Sequence, residues 1–296
     1  MLLRFAFITL SFAAAASSAS SSQLSIGVVG DWGGIPFWPY KTPGEVGTAK
    51  ALGNLAGSAD IGSLSAVLAL GDNFYFDGVK NVDDPRFKNT FEDVFTADSL
   101  KGDNLWKICA GNHDWRGNVS AQMAYSDKSA RWHYPALYYT FRLGGGAVPT
   151  VDVFLVDTVT LTGYGNQSVD EAQWTWLENG LAKSDADYVI VGGVRFFFSF
   201  LSRCFFLNAK FLFFPQHFPV WSICEHGPTS MLVDRMKPLF EKYYVTTCKL
   251  NPFLCFLFSS CSHFPFRFGG PRSLRRAHSR ERHLYGLPWS RRCEYL

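Results

Sequence analysis

The 296-residue sequence predicts a layered α/β protein. Two observations carry that expectation. Short apolar, β-branched runs alternate along the chain with segments of helical period. Three of those runs also end alike, in a glycine followed at once by side chains that can ligate a metal: Gly30-Asp31-Trp32-Gly33-Gly34, Gly71-Asp72-Asn73-Phe74-Tyr75 and Gly111-Asn112-His113-Asp114. A glycine at a strand end lets the backbone turn sharply and approach an ion closely.

Taken in order, residues 1–20 read as a secretory leader, with one basic residue (Arg4), an apolar stretch and small residues from Ala13 onward. The stretch is too short to span a bilayer. A buried strand comes next at 24–29, then a helix at 44–59 and a second strand at 64–70. A helix is expected at 85–95, a third strand at 105–110 and a short helical piece at 127–132. Residues 151–156 and 188–191 read as buried strands, separated by a helix over 169–183 with Glu171, Trp174, Leu177 and Glu178 at helical spacing. No internal repeat and no linker composition interrupts this order, so one large domain, or at most two, is expected.

The residue types in the three blocks suit two cations about 3.5–4 Å apart, which need hard oxygen donors, a bridging carboxylate and a few neutral ligands. Asp31 and Asp72 can supply carboxylates, Asn112 an amide oxygen, and His113 a proton or a positive charge. Tyr75 is the unusual member. A phenolate is a poor partner for Mg²⁺ or Zn²⁺ but suits Fe³⁺, which can keep it deprotonated well below its free pKa of about 10. Each Asp taken singly also fits a solvated turn, and Tyr75 a packed aromatic; the ordered set of three blocks favours metal.

In these blocks the chain resembles the tartrate-resistant purple acid phosphatases, within the calcineurin-like metallophosphoesterases. The resemblance extends to Gly117-Asn118-Val119-Ser120-Ala121-Gln122, Asp157-Thr158-Val159-Thr160-Leu161, His217-Phe218-Pro219-Val220-Trp221-Ser222 and Glu225-His226-Gly227-Pro228-Thr229. It implies two packed β-sheets flanked by helices, a four-layer sandwich. It further implies Fe³⁺ held by Asp31 and Tyr75, Asp72 bridging two metals, and Asn112 and His217 holding Fe²⁺ or Zn²⁺. His113 and His226 would contact substrate phosphate or protonate the leaving alkoxide. The implied reaction is in-line attack of a metal-bound hydroxide on a phosphate monoester, with an acid optimum and a purple colour from the Tyr75 phenolate on ferric iron. A monomer with no nucleic-acid partner is expected. The family's Gly-His-Xaa-His segment, one His for each metal, is absent from the sequence.

Residues 194–216 interrupt a stretch that otherwise runs from Tyr188-Val189-Ile190-Val191-Gly192-Gly193 directly into His217-Phe218-Pro219. Val194-Arg195 can be encoded GTAAGA, and Phe-Phe-Pro-Gln can end in a pyrimidine tract and CAG, the outline of an unspliced intron kept in frame. A second outline opens at Cys248-Lys249-Leu250, encodable as TGTAAGTTG, and closes near Phe266-Arg267. Joining its flanks shifts the frame, and the codons of Phe268 to Leu274 can then read Tyr, a Leu or Ser, and Gly-His-Asp-His. The domain is therefore expected over 24–248, interrupted at 194–216, with an aberrant tail at 249–296.

Charge divides the same way. Segments 194–216 and 249–296 contribute +3 and +7 against a whole-chain net of +3, which leaves the body at −7. The basic balance thus says nothing about nucleic acid. The Phe-rich segment is no stable membrane span either, since Arg195, Arg203 and Lys210 break it and a central charge costs about 2.5–3.5 kcal/mol. Export to a secreted or lysosomal location agrees with two glycosylation acceptors, Asn118 and Asn166. Of seven cysteines only Cys109, Cys224 and Cys248 lie outside the suspect segments, too few for a disulfide framework. His133, His263, His278 and His283 carry no assigned role. Two other readings stay open: an impaired product lacking the His pair, and a metallophosphodiesterase.

Overall fold

The computed structural model describes residues 8–12, 24–59, 61–164, 167–193, 229–245 and 247–249. Among the described residues nine strands form two sheets. In the first, β1 (Ile8–Phe12), β2 (Leu24–Val29), β3 (Ala66–Leu70), β4 (Trp106–Cys109) and β5 (Trp132–His133) lie side by side in chain order. Only β1 runs antiparallel, pairing Leu10 with Ile26. The parallel pairs bring Val29 opposite Ala69 and Leu70 opposite Cys109, so three strands end level. The second sheet orders β6 (Tyr139–Gly145), β7 (Val148–Leu155), β8 (Tyr188–Gly192) and β9 (Thr247–Lys249), with β6 and β7 an antiparallel hairpin and the rest parallel.

Period-two alternation sorts the core. Val151, Val153 and Leu155 of β7 and Ile190 of β8 join the core formed with Ile26, Val28 and Leu68 of the first sheet. Their neighbours Phe154, Val156, Val189 and Val191 face the other way and pack on Trp174, Leu177 and Leu181 of helix α4 (Glu171–Lys183) and Leu232 and Met236 of helix α5 (Ser230–Lys242). The first sheet's outer face is covered by helix α1 (Pro43–Ala56). Gly27 points that way, and a Cβ there would lie 3.3 Å from Leu52. Beside α1 stands an aromatic layer of Trp32, Phe74, Phe87, Phe91, Phe95, Trp106 and Trp132, all fully buried or nearly so. Helices, sheet, sheet and helices therefore stack in the order the resemblance implied.

Local signals explain the helix limits. Thr42 and Glu45 close a capping box at the start of α1, with Pro43 at its first turn. Asp170 caps α4 by accepting from the Gln173 amide. Two short helices, α2 (Val119–Ala124) and α3 (Thr158–Thr162), are capped in the same manner by Asn118 and Asp157.

Three local expectations change. The helix expected at 85–95 is a π-helix over Phe87–Glu92, with Asp93 N–H donating to Lys88 O. The piece expected at 127–132 is not helical: a single 3₁₀ turn ends at Asp127, and the chain then extends because Trp106 N–H of β4 takes the Arg131 carbonyl, so that Trp132 and His133 complete the sheet edge. Strand β6, which forms a hairpin with the expected strand β7, is an addition to the expected elements, although Tyr139, Phe141 and Leu143 alternate ahead of the positive-φ glycines 144–146. Residues 1–7, 13–23, 60, 165–166, 194–228, 246 and 250–296 lie outside the described residues, and with them Asn166, His217, His226, the 194–216 segment, the 249–296 tail except Lys249, and most of the leader. Among the described residues no helix is long and apolar enough to cross a membrane.

Candidate metal centre

The strand ends of β2, β3 and β4 bring the three glycine-led blocks to one edge of the first sheet, where open α/β sheets place their ligands. Asp31 comes after β2 in the left-handed region (φ 58°) and its amide donates to Gly71 O at 3.2 Å. Asp72 repeats the turn after β3 (φ 51°). Aspartate tolerates this conformation better than most residues, and two such turns side by side aim two carboxylates at each other. Gly111 after β4 has no alternative: a Cβ there would lie 2.1 Å from Asp72 Oδ1 and 2.3 Å from its amide nitrogen.

The Tyr75 hydroxyl meets both carboxylates, at 2.8 Å from Asp31 Oδ1 and 3.3 Å from Asp72 Oδ2. One hydroxyl proton cannot serve both. Burial first, then the charges of Asp31 and Asp114, hold the Asp72 carboxyl well above the usual range. Burial, followed by the charges of Asp31 and Asp72, raises the Tyr75 phenol as well. Three oxygen donors thus share one spot at which protonation is the protein's own way of relieving repulsion, and a multivalent cation reverses that logic. Asn112 points to the same conclusion. Its side chain is 3% exposed, and neither its Oδ1 nor its Nδ2 finds a hydrogen-bond partner among the described residues. A buried amide left so costs about 1–3 kcal/mol unless something else engages it. The donor set therefore fits a metal. Among the described residues no three His, Cys, Asp or Glu side chains form a metal cage by themselves; the oxygens of Tyr75 and Asn112 complete this set.

His113 donates its backbone N–H to Asp72 Oδ1 at 3.1 Å, and its Nδ1 lies 2.6 Å from Phe76 O. A carbonyl can only accept, so Nδ1 carries the proton and the neutral ring places its lone pair on Nε2. Burial lowers the ring's pKa, and the Phe76 carbonyl opposes that shift.

Sequence reasoning gave no role to the groups beneath the ligands. Asp114 is fully buried and accepts from the amides of Gly111, Asn73 and Phe74 and from Gln122 Nε2, tying the second block to the third. Burial pushes its carboxyl up to about 6 against those hydrogen bonds. Gln122 also accepts from Asn73 Nδ2. Asp157 accepts from Trp115 Nε1 at 2.7 Å, fixing the turn after the third block. The usable signals were a carboxylate directly after the block's histidine and a buried polar residue on α2. Of the seven site residues expected from sequence, Asp31, Asp72, Tyr75, Asn112 and His113 gather here, and His217 and His226 lie outside the described residues. The two sheets meet at this edge, since Leu70 of β3 would lie 3.1 Å from a Cβ on Gly192 of β8.

Comparison with known proteins agrees with this architecture. The calcineurin-like phosphoesterase family matches residues 24–245. Tartrate-resistant acid phosphatase type 5 of Oryctolagus cuniculus is 39% identical over 249 residues, covering 78% of this chain and 66% of that protein. The Homo sapiens protein of the same name is 38% identical over 244 residues, with the same coverage. Purple acid phosphatase 7 of Arabidopsis thaliana is 30% identical over 233 residues, covering 75% of this chain and 62% of that one. The chain thus spans about 66% of the length of the first two relatives. A solved structure described as "GAP50 the anchor in the inner membrane complex of Plasmodium" superposes with a TM-score of 0.58 at 22% identity, over 76% of this chain and 64% of that one, which speaks to the fold alone. A match spanning most of the chain, laid over three strand-end blocks that converge on one edge, establishes that the chain belongs to the calcineurin-like phosphoesterase family.

Proposed function

We propose that this protein is an exported acid phosphatase that hydrolyses phosphate monoesters at a binuclear centre, Fe³⁺ with Fe²⁺ or Zn²⁺, held by Asp31, Asp72, Tyr75, Asn112 and His217. The observation that supports it most is the Tyr75 hydroxyl set against both Asp31 and Asp72. When bound, two such cations supply Lewis acidity to phosphate oxygens and lower the pKa of the attacking water.

The chain's own residues do the rest. Asp31, Asp72 and Tyr75 provide negative charge where the cations sit, and the neutral Asn112 leaves the centre electrophilic. His113 is oriented by its Nδ1–H bond to Phe76 O, which suits its Nε2 to hold a phosphate oxygen or pass a proton to the leaving alkoxide. His226 would share that task. Asp114 and Gln122 keep the second and third blocks in register, so the carboxylates need not reorganise during turnover.

The finer parts of the reading rest on sequence. The 1–20 leader supports a secreted or lysosomal location, and the protein is read as a monomer. The family match ends at residue 245, ahead of the 249–296 tail, which supports a frame-shifted C-terminus without the Gly-His-Xaa-His pair. The test is metal content together with hydrolysis of an aryl phosphate and a bis-aryl phosphate from acidic to neutral pH. Iron in the protein and monoester turnover that peaks on the acidic side support the proposal. Preferential diester turnover would make it a phosphodiesterase, and no metal with no turnover an impaired product.

A further inference from the structure

We propose that Arg86 is a positioning residue for the metal centre: its guanidinium braces the turn that carries Tyr75 and Phe76, and through them fixes the phenol and the His113 ring. The inference rests on the reading of Tyr75 as a metal ligand.

Arg86 is 4% exposed, beside the π-helix and remote in sequence from the first block. Its Nη2 donates to Gly33 O at 2.5 Å and its Nη1 to Gly78 O at 3.2 Å. Gly33 O is the same acceptor that takes the Tyr75 amide at 3.0 Å. Gly78 closes the turn at its other end, in the left-handed region (φ 62°), with its amide donating to Phe74 O. One planar cation thus holds both ends of residues 75–78 and the loop of Asp31 together. No room exists for slack, because a Cβ on Gly33 would come within 2.5 Å of the Phe74 nitrogen, and one on Gly78 within 2.7 Å of Asp114 O.

The brace is itself held. The Arg86 amide donates to Asp84 Oδ1 at 3.0 Å, Asp84 also accepts from the Lys80 amide, and the guanidinium carbon lies 5.3 Å from the centre of the Phe74 ring. Lysine cannot replace this fork: it is a point charge and cannot span two carbonyls in one plane. Displacement of the turn would move the Tyr75 hydroxyl from the two carboxylates, and also Phe76 O, the acceptor that orients His113.

The structure supplies an internal control. The amides of Asn73 and Phe74, in the same loop, are held by Asp114 and not by Arg86. Residue-resolved hydrogen exchange on the full chain is therefore the experiment, comparing wild type with Arg86→Lys and Arg86→Met. Exchange at the Tyr75 and Gly78 amides should quicken about tenfold, the size expected for loss of a charge-assisted bond, while Asn73, Phe74 and the β3 amides stay within about twofold. If the Arg86 variants do not fold, Asp84→Asn keeps the guanidinium but loosens its backbone anchor, and should produce the same pattern at about threefold. Unchanged exchange at Tyr75 and Gly78, or equal loosening of all these amides, overturns the inference. In iron-loaded protein the variants should also shift the visible band and lower kcat more than they change KM. A wild-type protein without that band would defeat the reading of Tyr75 as a ligand, whereas a wild-type band that persists unshifted in the variants would defeat the brace.

Discussion

At the scale of single residues, the centre illustrates how a protein tolerates concentrated negative charge before a ligand arrives. Asp31, Asp72 and Tyr75 are legible from sequence because each lies just past a strand and a glycine, but their mutual distances are not, since they depend on two left-handed aspartates. If Tyr75 ligates ferric iron, Tyr75→Phe should abolish the visible absorption of iron-loaded protein while leaving iron content within about twofold, because only one ligand of several is lost; the spectrum and metal analysis check this together. A second residue makes a prediction that involves no metal. Glu45 is fully buried beneath the first block, with Oε2 accepting from the Thr42 amide and Oε1 unpartnered among the described residues. Burial pushes its carboxyl up to about 8, against the pull of the Thr42 hydrogen bond and of Arg86. A carboxyl that binds its proton more tightly folded than unfolded contributes stability that is complete below about 4.5 and is lost as pH rises through about 8. The Tm of the metal-free protein should therefore fall as pH rises across that window, and Glu45→Gln should flatten the slope. Asp114 and Asp157, each raised by burial to about 6, and Asp72, held well above its usual range, act with the same sign and leave a residual slope in the variant.

At the scale of elements, caps and alternation carry the parts of the fold that sequence reveals. The helix α4 is expected because Trp174 and Leu177 share a face, and they do pack on Phe154 and Val189 while Glu171 and Glu178 stay exposed, paired with Arg235 and Lys242 of α5. Its start depends on Asp170, so Asp170→Ala should cost about 1 kcal/mol, seen as a lower denaturant midpoint with an unchanged slope. Surface ion pairs between α4 and α5 should matter less, because solvent screens both partners. The elements that sequence misjudged fail for identifiable reasons. Periodicity of Phe87, Phe91 and Phe95 cannot distinguish bonds to the fourth residue back from bonds to the fifth, so the π-helix is invisible in it. The 127–132 stretch is extended because of a partner remote in sequence, the Trp106 amide that takes Arg131 O, and no local propensity reports such a partner. Arg86 is illegible for the same reason: next to Pro85 it reads as a solvated charge, and only tertiary contact makes it a buried clamp.

At the scale of the whole molecule, the proposed centre would draw its remaining ligands from the chain beyond β8. That strand ends at Gly192 beside the end of β3, so the backbone leaving Gly193 issues at the edge where Asp72 stands. In the sequence as given, the Phe-rich 194–216 comes next; with that segment removed, His217 does, within about 3.3–3.6 Å of reach per residue and hence a few residues from the two carboxylates. A chain lacking residues 194–216, and continued after residue 247 in the alternative frame that restores Gly-His-Xaa-His, should therefore bind two metal ions per molecule. The chain as given should bind fewer, because at least two neutral donors are missing. Metal analysis of both proteins after the same iron and zinc loading measures this directly, and sequencing the transcript across the two junctions reports which form the cell makes. Equal loading of the two proteins would mean that Asp31, Asp72, Tyr75, Asn112 and His217 suffice even with residues 194–216 in place, and that the missing pair does not belong to the ligand set.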